Sequence, residues 1–111
     1  MSIQRWSENI VVVDLSKEPQ TAEDIQDVID LFKGNADFDV VMDFEDIDII
    51  TSSSISALLK LNKLLSDSGR KLILSSMSKA TKNILNVIGV EELFEFINEK
   101  FMALAGLQMV H

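Results

Sequence analysis

Ile47-Asp48-Ile49-Ile50-Thr51-Ser52-Ser53-Ser54-Ile55-Ser56-Ala57-Leu58-Leu59 changes its pattern in the middle. The first half predicts an apolar strand that runs out at Ile50. Hydroxyl residues follow from Thr51 to Ser54. Ile55, Leu58, Leu59, Asn62 and Leu65 then recur at helical spacing, and Ala57, Leu61 and Leu64 widen the stripe. Small hydroxyl side chains at such a junction cap the helix. They also put a nucleophilic oxygen beside backbone N–H groups without intrahelical partners, at the helix end that tolerates added negative charge. A serine at this place is a chemically suitable acceptor for phosphate.

Working outward, Ile3 to Trp6 and Ile10 to Leu15 are β-prone runs joined by Ser7-Glu8-Asn9, which predicts a hairpin. Thr21-Ala22-Glu23-Asp24 reads as a helix start, with Thr21 as cap and acidic residues in the first turn. Ile25, Val28, Ile29 and Phe32 mark one face of that helix, and Gly34 is its expected stop. Phe38 to Phe44 reads as a strand whose Val40-Val41-Met42 is apolar on both sides. Beyond the central helix, Gly69 is a stop and Lys71 to Ser75 is the next strand. Ser78 caps a third helix with Ile84, Leu85 and Ile88 inward, and Gly89 closes it. Leu93 to Ile97 is a short strand or turn. Asn98 is the expected cap of a last helix carrying Phe101, Leu104 and Ala105. Alternation of strands and helices predicts an α/β fold with a mainly parallel sheet and right-handed crossovers.

The chain has 111 residues, which predicts one domain over 1–111. It contains no cysteine, so neither disulfides nor thiolate metal sites enter. Met1 to Glu8 lacks the apolar core of a signal peptide, and the apolar runs are too short to span a membrane. A formal net charge of -8 argues against nucleic-acid binding through phosphate neutralisation. Acidic residues crowd the first half and Lys60, Lys63, Arg70, Lys71, Lys79 and Lys82 lie in the second, a division that reads as solvated surface.

Motifs for catalysis are missing. The sequence holds neither a glycine-rich phosphate loop nor a dinucleotide fingerprint. Its one histidine is the terminal His111, which removes a Ser-His-Asp arrangement. Asp43, Glu45, Asp46 and Asp48 offer oxygen ligands, but no loop signature organises them, and they read as a solvated strand end rather than a metal site. A binding module without cofactor or metal is expected rather than an enzyme.

Taken in order, these segments resemble the STAS domain, shared by sulphate transporters and anti-sigma factor antagonists, and most closely the stand-alone bacterial antagonists. The likeness covers almost the whole chain. Asp43-Phe44-Glu45-Asp46-Ile47-Asp48-Ile49-Ile50 is similar to the family's strand and connector. Thr51-Ser52-Ser53-Ser54-Ile55 falls on its Asp-Ser-Ser/Thr-Gly-Leu motif. Ser68-Gly69-Arg70-Lys71-Leu72-Ile73-Leu74 is similar to its glycine turn into the next strand, and Ser78 to Val90 to its third helix. Two positions depart from the pattern: Thr51 stands where aspartate is usual, and Ser54 where glycine is usual.

The resemblance implies an anti-sigma factor antagonist whose partner is an anti-sigma factor that is also a serine kinase. The unmodified antagonist binds that partner and frees the sigma factor; the phosphorylated form lets go. Ser52 is the implied phosphate acceptor, with Ser53 second. Glu18, Thr51, Ser52, Ser53 and Ser54 are the implied docking residues. On local sequence alone the same hydroxyls read first as helix caps. The implied location is the cytoplasm, without membrane insertion or direct contact to nucleic acid. A homodimer through the exposed first strand is open. The alternative is a non-switching STAS subunit of a stressosome-like scaffold or a lipid-transport complex, a reading favoured by the departures at Thr51 and Ser54.

Overall fold

The computed structural model describes residues 1–33 and 37–110, with the side chain of Val110 left aside. The expected helix stop at Gly34 and the terminal His111 lie outside the described residues. The chain starts with a hairpin, β1 (Ser2–Ser7) and β2 (Ile10–Asp14), turning at Glu8-Asn9. Helix α1 (Thr21–Lys33) leads to β3 (Asp39–Asp43), and helix α2 (Ser52–Asp67) to β4 (Leu72–Ser75). Helix α3 (Lys79–Val87) and a 3-10 turn at Glu91–Leu93 lead to β5 (Glu95–Ile97), and α4 (Lys100–Val110) follows.

The strands lie in the order β1-β2-β3-β4-β5. β1 runs antiparallel to β2; the other three pairings are parallel. The sheet separates two apolar layers. Val11 and Val13 of β2, Val40 and Met42 of β3 and Leu74 of β4 face α1, α2 and α3, where Ile25, Val28, Leu58, Leu61, Leu65 and Leu85 complete the larger core. The alternate residues Ile10, Val12, Val41 and Ile73 face Ala103, Leu104 and Leu107 of α4. Each central strand is therefore covered on both sides, which is why its sequence is apolar without interruption. β1 is an edge strand, and all of it except Ser7 is exposed.

Some expectations are corrected. The strand does not continue to Ile50. It stops at Asp43, whose buried carboxylate accepts a hydrogen bond from the Ser75 hydroxyl (Oδ1 to Oγ, 2.9 Å). A turn through Glu45-Asp46 then closes with Ile47 N–H donating to the Phe44 carbonyl at 3.0 Å. Ile47 and Ile50 are buried as anchors of a connector, and Ile49 between them points out. Thr21 is the first helical residue rather than a cap, and its hydroxyl donates to the Ser16 carbonyl at 2.7 Å. Ile88 lies past the end of α3 and is 52% exposed rather than inward. The α4 start is capped by Glu99, which accepts the Met102 N–H at 2.7 Å, and not by Asn98. Phe101 and Ala105 of that helix face outward, because Ala103, Leu104 and Leu107 take the sheet side.

Two stops hold as read. Gly69 has φ +73° and Gly89 φ +82°. In both, the residue after the glycine reaches back across the last turn: Arg70 N–H to the Leu65 carbonyl and Val90 N–H to the Leu85 carbonyl. This closure needs a left-handed residue, which glycine adopts without steric cost.

Candidate functional site

The connector from β3 delivers the chain to the start of α2, where Thr51 takes an extended conformation (φ -93°, ψ 164°). Its Oγ1 accepts the Ser54 N–H at 3.3 Å, satisfying one of the unpaired donors of the first turn. Ser52 and Ser53 are the first and second residues of α2, and both are exposed. Ser54, the next residue, is fully buried. The hydroxyls at 51 to 54 thus divide into a cap, two exposed groups and one internal group, because a helix turns each successive side chain by about 100°.

Glu18 joins this site from the loop before α1. Its Oε2 accepts both the Thr51 N–H, at 2.8 Å, and the Ser54 hydroxyl, at 2.6 Å. Thr51 Oγ1 in turn donates to Ser54 Oγ at 3.2 Å. A carboxylate therefore rests on the positive end of α2 even though residue 51 carries no charge. Burial pushes the Glu18 carboxyl up, but the Ser54 hydroxyl and the Thr51 N–H, helped by the Thr51 and Thr21 side chains, together outweigh it. The group stands below its ordinary value of 4.5 and is ionised at neutral pH. Lys17 beside it pairs with the exposed Asp48 at 3.7 Å, a second link from this loop to the connector.

The serine at position 54 has a physical reason. Ser54 is internal, and its side chain points at the carboxylate of Glu18, so the α2 terminus and the loop are joined by an O–H···O bond to a charged acceptor. Such bonds are the stronger ones in proteins. Of the docking residues read from the sequence, the structure brings Glu18, Thr51 and Ser54 into one network and leaves Ser52 and Ser53 at its exposed rim. The link from Glu18 to Ser54 is the element that sequence reasoning missed. Local spacing carries no signal for a contact between residues 36 apart.

The acidic residues of the connector do not gather. Asp43 is internal, Glu45 and Asp46 form an exposed turn, and Asp48 faces Lys17. Among the described residues, no group of three or more His, Cys, Asp or Glu side chains is placed to hold a metal ion. A separate cleft of about 410 Å³ opens where β3 and β4 end, lined by Asp43, Glu45, Ser76 and Lys100 among others, and contains none of the predicted site residues. Lys100 spans its wall with Nζ 2.9 Å from Asp14 Oδ1. Among the described residues no helix is long and apolar enough to cross a membrane.

The chain belongs to the STAS domain family, whose model matches residues 2–102. Solved structures share its fold. An anti-sigma-factor antagonist (STAS) domain protein from Planctomyces limnophilus superposes with a TM-score of 0.82 at 18% identity, covering 96% of this chain and 97% of that one. The anti-sigma factor antagonist SpoIIAA in its unphosphorylated form gives 0.78 at 16% identity, with 96% and 95% covered. The phosphorylated form of SpoIIAA, a Bacillus cell fate determinant, gives 0.72 at 14%, with 99% and 98% covered. A chain of the stressosome gives 0.77 at 15%, with 98% and 97% covered. At these identities the likeness is one of fold. Comparison with curated proteins finds no significant match.

Proposed function

We propose that this protein is an anti-sigma factor antagonist switched by phosphorylation of Ser52. The observation that carries this reading is the exposed Ser52 hydroxyl at the first position of a 16-residue helix, next to a carboxylate that the same helix end already holds. Its partner is a serine kinase that is also the anti-sigma factor, and it works as a binding module in the cytoplasm rather than as a catalyst. Glu18, Thr51, Ser52 and Ser53 make up the docking surface, with Ser53 the second choice of acceptor, and the buried Ser54 supports it from within through its bond to Glu18.

A phosphate adds about -1.5 to -2 charges. Added to Ser52 it meets the positive end of α2, which favours it, and the Glu18 carboxylate, which opposes it. The fold survives because the acceptor is outside the core. The complex does not, because a dianion in an interface must be desolvated. A loss of about 3 kcal/mol weakens binding more than a hundredfold. Titration of the purified kinase partner with wild type, Ser52→Ala and Ser52→Asp tests this. Ser52→Ala should bind as wild type does and Ser52→Asp at least tenfold more weakly; equal affinities for all three refute the switch.

A second reading is a constitutive subunit of a stressosome-like scaffold or a lipid-transport complex. Thr51 and Ser54 favour it, since the Glu18–Ser54 bond fastens the α2 terminus to its own loop. A stable complex with a transporter ATPase or scaffold protein, indifferent to Ser52 substitution, would select it.

A further inference from the structure

Helix α4 has two apolar sides. Ala103, Leu104 and Leu107 are sealed against the sheet. The opposite side presents Phe101, Met102 and Met109, which are 58%, 63% and 88% exposed, with Ala105 and Gln108 between them. From Phe101 to Met109 no side chain is charged. Trp6 of β1, 44% exposed, extends the patch, with its ring centroid 6.2 Å from that of Phe101. Large apolar groups gathered on one surface mark an interaction site more often than a bare solvent face.

Gly106 is a second, independent observation. It sits inside α4, is exposed, and a Cβ added there would meet nothing within 4 Å. A glycine in a helix interior costs about 1 kcal/mol relative to alanine. Nothing within the described fold requires that sacrifice. A second backbone approaching closely across the Ala105-Gly106 surface would require it.

We propose that the outer face of α4, together with Trp6, pairs with the same face of a second copy of this chain, the two α4 helices crossing near Gly106. Charge favours a copy over a different partner. The net charge of -8 opposes self-association overall, so the local surface decides, and α4 is uncharged from Phe101 to Met109. The border of the patch has both signs, Lys71 and Glu95 beside Met102 and Gly106, and Lys100 and Glu99 beside Phe101, and not the single sign that would select an oppositely charged protein. It also lacks the basic border that draws a helix to an anionic lipid surface.

Area sets the strength of the pair. The exposed parts of Trp6, Phe101, Met102 and Met109, with the small residues between them, amount to about 600 Å² in each copy. A pair hides roughly 1,200 Å², the lower limit for a specific interface, so the dimer is weak and reversible. A two-fold axis suits a patch that is complementary to itself. Helix α4 covers the sheet face opposite to α2, so pairing leaves Ser52 accessible, and the dimer is independent of the switch.

Sedimentation equilibrium of the full chain between about 1 μM and about 1 mM covers the affinities of weak specific pairs. The mean mass of wild type should rise from monomer towards dimer, and Ser52→Asp should follow the same curve. Met109→Lys and Gly106→Leu should weaken association at least tenfold. Both keep the fold, the first because its site is solvent, the second because leucine is a better helix former in open space; circular dichroism melts confirm this. Wild type that stays monomeric at the highest concentration overturns the proposal. So do variants that associate as wild type does, which would move the contact to another surface such as the β1 edge. Wild type that stays monomeric but pellets with phosphatidylcholine–phosphatidylglycerol vesicles also overturns it, in favour of a lipid surface.

Discussion

Glu18 and Ser54 are 36 residues apart in the chain and 2.6 Å apart in space, from carboxylate Oε2 to hydroxyl Oγ. This bond ties the loop before α1 to the first turn of α2, and it forms because position 54 carries a hydroxyl where a glycine would offer only backbone. It sets the rigid background against which Ser52 and Ser53 are displayed.

Ser54→Ala removes the hydroxyl donor and leaves Glu18 Oε2 held chiefly by the Thr51 N–H. A hydrogen bond to a charged group contributes about 1.5–3 kcal/mol, so the variant should lose about that much unfolding free energy, seen as a lower urea midpoint with an unchanged slope. Glu18→Ala combined with Ser54→Ala should cost less than the two single changes added together. Full additivity would mean that the two side chains do not interact in solution.

Glu18 also makes stability depend on pH. Its folded pKa lies below the ordinary 4.5, so the folded state binds its proton less readily than the unfolded chain does. The resulting stabilisation is complete above the unfolded value and is lost as pH falls through the folded one. Glu18→Gln should therefore differ most from wild type above pH 4.5, and the difference should shrink as the pH drops below it. Urea midpoints on both sides of that value measure the effect; a constant difference would exclude the ionised carboxylate as its source.

Thr51→Asp restores a charge at the cap but puts a second carboxylate beside Glu18, whose Oε2 already lies 2.8 Å from the residue-51 N–H. Like charges raise the pKa of their neighbour. Carboxyl carbon chemical shifts followed through a titration should report a higher Glu18 pKa in Thr51→Asp than in wild type. Thr51→Ala, which loses the cap, should cost about 1 kcal/mol of stability.

Helix α3 provides a control on the core. Leu85 is fully buried and Ile88 is 52% exposed. Leu85→Ala should cost about 2–5 kcal/mol. Ile88→Ala should stay within about 0.5 kcal/mol, as exposed sites usually do. Thermal or urea unfolding separates the two outcomes.

The contrast between those residues also marks what was legible in the sequence. Repeating patterns were readable: Ile25 to Phe32, Leu58 to Leu65 and Val40 to Met42 report the environment of whole helices and strands, and they gave the parallel α/β order. Glycines with positive φ marked the ends of α2 and α3. Patterns failed where an element stops, because stopping depends on distant partners. Asp43 ends β3 beside Ser75, which local hydropathy does not encode, so Ile47 and Ile50 looked like more strand. Ile88 fits the spacing of α3 but lies beyond its last turn. In the site, the cap at Thr51 and the placement of Ser52 follow from local sequence, whereas the roles of Glu18 and Ser54 in one network depend on tertiary contact. The open side of α4 was visible only as a run without charge from Phe101 to Met109.

The most direct measurement is phosphorylation itself. The protein is incubated with ATP and each serine-kinase anti-sigma factor encoded in its genome, and the modified residue is located by tandem mass spectrometry. One phosphate on Ser52, absent from Ser52→Ala and accompanied by release of the kinase, is the expected result. Modification confined to any other residue, or a kinase complex that persists once Ser52 is phosphorylated, contradicts the switch.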